Sequence, residues 1–193
     1  VTLIGEVPAD LALRRDGAQT GDDVWISGAT GEAALALAHL SGRIELAEPF
    51  RPRCIERLEA PEPRVDLGGR LRGLANSAID VSDGFAGDLM HILERSGVSA
   101  RVRYESLPRC AALANLGDPG LEQRCVLSGG DDYELVFTAS ATRRNDVERL
   151  ARELKLPLAC TGTVLEGEGI LEILDPSGRP LPAAGGFDHF KQH

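Results

Sequence analysis

Asn76-Ser77-Ala78-Ile79-Asp80-Val81-Ser82-Asp83-Gly84 is a strand running out into a glycine turn, and a helix follows it. Ser77 to Val81 is short and apolar enough for a strand. From Phe85 to Arg95 the apolar positions Phe85, Leu89, His91, Ile92 and Leu93 fall near a 3.6-residue repeat, which predicts an amphipathic helix. The same alternation extends outward in both directions. Upstream, Asp23 to Ser27 reads as a strand containing Trp25, and the Ala/Leu-rich run from Glu32 to Leu40 as a helix. Thr30 is the expected N-cap of that helix and Gly42 its stop. Pro49, Pro52, Pro61 and Pro63 leave room only for short helical pieces, and Leu67 to Leu74 predicts another helix. Downstream, Ala100 to Tyr104, Tyr133 to Thr138, Leu158 to Val164 and Ile170 to Leu174 read as strands, with a helix over Asn145 to Leu154. Helices interleaved with strands predict a mixed α/β (α+β) fold, a mixed sheet flanked by helices.

With no repeat, low-complexity tract or linker, residues 1–193 read as a single domain. A chain of this size buries roughly 70% of its unfolded surface and needs no disulfide or metal staple. Val1 to Val7 reads as a strand already under way, stopped at Pro8, which points to a chain cut from something longer. Thirty acidic against 21 basic residues give a formal charge of -9, and the arginines are scattered among acids. Nucleic acid is thereby a poor partner, because neutralising phosphates needs clustered cations. An acidic protein that binds phosphates needs a local device, most economically a divalent cation. Cys54, Cys110, Cys125 and Cys160 lie far apart without metal-ligand spacing, so they read as buried free thiols in a reducing cytosol. No apolar run approaches the ~20 residues of a membrane span, and a cytoplasmic protein is expected.

The chemistry concentrates at the end of the strand first quoted. Were Asp80 and Asp83 about 5 Å apart, their repulsion would cost roughly 3 kcal/mol at an effective dielectric of 20. A divalent cation between them removes that cost, and Mg2+ favours one or two carboxylates plus phosphate oxygens. Ser82 and the N–H groups opening the next helix could then meet the phosphates. On spacing alone a second reading stands equally: Ser82 or Asp83 caps the helix and Asp80 is solvated.

The whole string resembles the metal and nucleotide segment of the thiamine-monophosphate kinases, relatives of aminoimidazole ribonucleotide synthetase. Ser128-Gly129-Gly130-Asp131-Asp132-Tyr133-Glu134-Leu135 is similar to the Gly-Gly-Glu-Asp-Tyr-Glu-Leu signature of the same kinases, with Asp131 in place of the usual Glu. Gly185-Gly186-Phe187-Asp188-His189-Phe190 is similar to their Gly-(Tyr/Phe)-Asp-His-Phe ending, and the segment from Gly5 through Gly28 resembles the join between their two domains and the first strand after it. The resemblance implies the C-terminal domain type of the aminoimidazole ribonucleotide synthetase-like superfamily, in a chain lacking the N-terminal metal- and ATP-binding domain. It also implies ATP-dependent phosphorylation of thiamine monophosphate to thiamine diphosphate, by a full-length enzyme that is a homodimer. Asp80 and Asp83 would hold Mg2+, Arg15 and Ser82 the nucleotide, and Asp131 and Phe187 the thiamine moiety; no catalytic base is assigned. Two alternatives stay open. One is a sister enzyme: the synthetase itself, a selenophosphate synthetase, or a hydrogenase-maturation protein, which typically ends in a cysteine-bearing tail unlike Phe190-Lys191-Gln192-His193. The other is a non-catalytic nucleotide-binding domain, against which the Asp80-x-Ser82-Asp83 set speaks.

Overall fold

A computed structural model describes residues 5–181 of the chain. Six strands and seven α-helices alternate there: β1 (Asp22–Ser27), α1 (Glu32–Leu40), α2 (Arg51–Glu59), α3 (Val65–Leu71), β2 (Ser77–Val81), α4 (Phe85–Ser96), β3 (Val98–Arg103), α5 (Ala111–Ala114), α6 (Pro119–Ser128), β4 (Glu134–Ser140), α7 (Arg144–Leu154), β5 (Leu158–Glu166) and β6 (Leu171–Leu174). The strands form one sheet in the order β2-β4-β1-β5-β3-β6. All pairs are antiparallel except β3 with β6, so the sheet is mixed, as the interleaved pattern predicts.

Every residue of β1 is buried, which fits its place between β4 and β5. Alternation along the strands divides the core into two layers. Val24 and Ile26 of β1, Ile79 and Val81 of β2 and Val136 of β4 face the larger layer with Phe85, Leu89 and Ile92 of α4 and Leu35 of α1. Trp25 and Phe137 face the other way, against Leu67 and Leu71 of α3 and Val147 and Leu150 of α7. These two rings are direct cross-strand partners and lie stacked, 6.3 Å between centroids and 8° between planes. Among the described residues no helix is long and apolar enough to cross a membrane.

Several local expectations change. Thr30 does not cap α1: its hydroxyl donates to the Val126 carbonyl at 2.9 Å, and Gly31 is the N-cap. His91 is exposed, off the apolar face of α4, which consists of Phe85, Ala86, Leu89, Ile92 and Leu93. The sequence reading passes over α6, whose buried residues Cys125, Val126 and Leu127 are consecutive at its end and give no helical periodicity. Of the strand expected over Val1 to Val7, residues 1–4 lie outside the described residues and Gly5 to Val7 form no strand. Cys54, Cys110 and Cys125 are buried free thiols, as expected, whereas the free thiol of Cys160 is only half-buried.

Candidate functional site

The turn after β2 is held by a carboxylate from inside the next helix. Asp88, buried in the first turn of α4, accepts the backbone N–H groups of both Ser82 and Asp83 at 3.0 Å. Neither Ser82 nor Asp83 caps that helix; Gly84, with φ 114°, stands at the N-cap, and a Cβ there would come within 2.8 Å of the Ser128 backbone. So the capping reading of Ser82 and Asp83 is replaced by its inverse, in which the helix carboxylate binds the turn. Burial pushes the Asp88 carboxyl up from its ordinary range; the two N–H bonds oppose this, and the charges of Asp83 and Asp80 add to it. Asp80, Asp83 and Asp88 thus share a local field at the strand end.

Alongside this turn runs the segment from Gly129 to Tyr133. The Asp131 N–H donates to the Ser82 carbonyl and the Tyr133 N–H to the Val81 carbonyl, each at 2.9 Å. The paired glycines serve the close approach rather than a left-handed turn. A Cβ on Gly129 would meet the Cys125 carbonyl oxygen at 2.3 Å, and one on Gly130 the Ser82 oxygen at 2.5 Å. The left-handed residues are Asp131 (φ 65°) and Tyr133 (φ 51°), on either side of Asp132. This alternation turns Asp132 into the protein and its two neighbours outward.

Asp132 and Glu134 do structural work that sequence reasoning missed. The Asp132 carboxylate accepts from Gly31 N–H at 2.6 Å and Ala33 N–H at 3.4 Å, occupying the N-terminus of α1 from a hundred residues away. Burial pushes its carboxyl up to about 7, against the opposing pull of those N–H groups and of Arg57. Glu134, 1% exposed, receives Arg57 at 2.9 Å, Arg64 through two bonds at 2.6 and 2.7 Å, and the Ser27 hydroxyl at 2.6 Å. Paired glycines leading into a strand signal a turn; nothing local signals where the buried acids after it will be satisfied.

Two clefts border this region. One, of about 820 Å3, is lined by Ser82, Asp83, Gly129, Gly130, Asp131 and Tyr133 on one side and by Ala34, Leu37 and Ala38 of α1 with Leu121 and Arg124 of α6 on the other. The second, of about 660 Å3, lies beyond the other face of β2 and is lined by Arg14, Arg15, Asp16, Ala78, Asp80 and Arg95. Asp80 and Asp83 therefore face different clefts. Asp80 follows the strand alternation onto the side of Ala78, away from Ile79 and Val81, whereas Asp83 sits past the strand end where alternation no longer applies. The picture of one ion squarely between them does not describe this arrangement. Ser82, Asp83 and Asp131 come together in one cleft; Arg15 joins Asp80 in the other. Phe187 lies outside the described residues.

No family model matches the chain. It is 38% identical over 189 residues to the thiamine-monophosphate kinase of Salmonella typhimurium, covering 96% of this chain and 58% of that relative. The crystal structure of thiamine-monophosphate kinase from Stenotrophomonas maltophilia K279a superimposes with a TM-score of 0.82 at 44% identity, covering 91% of this chain and 56% of that one. The chain belongs to the thiamine-monophosphate kinase family. A second kinase structure, AaThiL complexed with AMPPCP and TMP, matches with a TM-score of 0.75 at 33% identity over 92% of this chain and 54% of that one. A hydrogenase maturation protein, HypE, matches with a TM-score of 0.69 at 18% identity over 97% of this chain and 60% of its own; that likeness shows the shared aminoimidazole ribonucleotide synthetase-like fold and no more. The chain spans 58% of the length of the Salmonella kinase.

Proposed function

We propose that this chain is the C-terminal domain of a two-domain kinase that transfers the terminal phosphoryl group of ATP to thiamine monophosphate. The observation that carries the reading is the segment from Asp80 to Asp83, which borders both clefts at once and lies in a chain of this kinase family. Donor and acceptor held on either side of it would meet at the turn. Arg15 offers a planar guanidinium to two phosphate oxygens of the nucleotide. Ser82, at the turn between the two clefts, would meet the nucleotide's terminal phosphate from the side of Asp83, and Asp131 together with Phe187 would take the thiamine end.

Such a transfer rests on positioning and charge neutralisation, with little covalent work for the protein. The acceptor is itself a phosphate, largely ionised at neutral pH, so no strong base is needed. Magnesium suits the donor set. Asp80 and Asp83 offer hard carboxylate oxygens, one to each cleft, and among the described residues no cluster of three or more His, Cys, Asp or Glu forms a self-sufficient cage. An ion here would rest on one or two carboxylates and complete its shell with phosphate oxygens, the usual habit of Mg2+. Asp80 and Asp83 would each hold such an ion in its own cleft; when bound, it screens the negative charge of one phosphate group from the other. Asp88, its carboxylate spent on the turn, fixes where Ser82 and Asp83 stand.

In the full-length kinase, Asp83→Asn should lower turnover at least ~100-fold, the scale of losing one positioned charge-stabilising group, with little change in the thermal midpoint. Unchanged turnover would refute the metal role.

A further inference from the structure

Tyr133 lines the cleft beside Asp131, and the site assignments leave it unused. It is 39% exposed, between Asp132 and Glu134, which are 0% and 1% exposed. Its backbone is left-handed, a conformation that costs a bulky residue of order 1 kcal/mol and persists where the surroundings enforce it. Here the Tyr133 N–H bond to Val81 and the inward turn of Asp132 enforce it, and the result is a phenol ring displayed on the cleft wall. Its hydroxyl stands 3.5 Å from Asp131 Oδ1, the far limit of a hydrogen bond. Burial, then the charges of Asp131, Asp80 and Asp83, raise the phenol pKa, so the ring sits in a negative field. The cations lining the same cleft, Arg43 and Arg124, come from the loop after α1 and from α6 on the opposite wall.

An aromatic face with carboxylates beside it is the usual receptor for a cation carried on a flat ring, because the ring quadrupole and the acids attract the same charge. Ala34, Leu37, Ala38 and Leu121 give such a ligand an apolar wall opposite. We propose that Tyr133 is a specificity-determining residue of this cleft, the surface on which the positively charged aromatic ring of the substrate stacks. This rests on the kinase reading above and names what selects the substrate's organic half. It assigns the thiazolium charge, rather than ring area alone, as the feature recognised. Asp131 flanks the ring as a second source of attraction. Its side chain is one methylene shorter than the Glu usual at this place in the family, which leaves more of the recognition to the ring.

The test is calorimetric titration of the full-length kinase, with Mg2+ present and no nucleotide, using thiamine monophosphate and its uncharged thiophene isostere. The unsubstituted kinase should bind the thiazolium ligand about ten-fold more tightly than the isostere, the scale of a desolvated cation–π contact. Tyr133→Phe should retain that preference within about two-fold, and Tyr133→Leu should remove it while leaving affinity for the isostere within about two-fold. Equal affinity of the unsubstituted kinase for the two ligands overturns the proposal even if Tyr133→Leu does not fold. So does a Tyr133→Leu variant that keeps the preference, or one that loses both ligands equally. Those results leave the kinase reading standing. Failure of the unsubstituted kinase to bind either ligand would sink this inference, and Asp83→Asn turnover in the full-length kinase would then judge the kinase reading separately.

Discussion

Asp132 shows how far a single residue's environment can depart from its sequence neighbourhood. Two bonds to the α1 N-terminus favour its ionised form, yet burial outweighs them and moves its pKa up to about 7. An acid whose folded pKa is raised contributes stability that is full below the unfolded value near 4 and is lost as pH rises through the folded value. Replacing it with Asn removes that titration. The stability difference between the native chain and Asp132→Asn should therefore shift against the native chain between about pH 4 and pH 7 and be flat above about pH 8, read from denaturant midpoints across that range. A difference independent of pH would show that the carboxyl titrates normally. Residue-level legibility follows the same line. Asp80, Ser82, Asp83 and Asp131 stood out because acids, a hydroxyl and glycines at a strand end are a local pattern. Asp88 and Asp132 did not, because each acts on backbone N–H groups that only the fold brings near: Asp88 reaches back past Gly84, and Asp132 reaches α1.

At the scale of elements, the beginning of β4 is tied to α2 and to the start of α3 through Glu134. Its carboxylate satisfies Arg57 and Arg64, and Arg57 also donates to the Asp132 carbonyl at 3.0 Å and has Glu32 of α1 at 3.6 Å. Removing one member of a buried ion pair strands the other's charge, at a typical cost of about 3 kcal/mol. Glu134→Gln keeps the shape and removes the charge, so it should lower the thermal midpoint by roughly 10 °C, at 2–4 °C per kcal/mol for a chain of this size. A shift under about 2 °C would mean that water or Glu32 takes over the pairing. Strands and the longer helices were legible from periodicity. The helix α6 was legible only from its start, where Asp118 accepts from the Leu121 N–H and Pro119 opens the first turn, a combination that marks a helix N-terminus even without an apolar stripe. That helix matters, since it supplies Leu121, Arg124 and Cys125 to the cleft wall.

For the whole molecule, the order β2-β4-β1-β5-β3-β6 puts β2 at the sheet edge, where the segment from Arg14 to Gly17 runs along it and Arg14 accepts the Ala78 N–H at 3.0 Å. That placement brings Arg15 to the cleft of Asp80, a neighbourhood no local pattern in the sequence could show. It also leaves both clefts open at one end of the sheet, with only Asp80 and Asp83 assigned to metal. In the proposed reaction a triphosphate and a phosphate monoester brought together here would need more counter-charge and tighter alignment than this donor set supplies, since near-attack geometry is worth several kcal/mol of the barrier. The kinase relatives extend well past the region matched, which this chain spans to 58% in the Salmonella enzyme. Incubated alone with ATP, Mg2+ and thiamine monophosphate, the 193 residues should therefore bind ligand yet form no thiamine diphosphate above an enzyme-free blank, as read by chromatography of the products. Turnover from the isolated chain would show that Asp80, Asp83, Arg15 and Ser82 suffice for the transfer, and that the division of labour between two domains is mistaken.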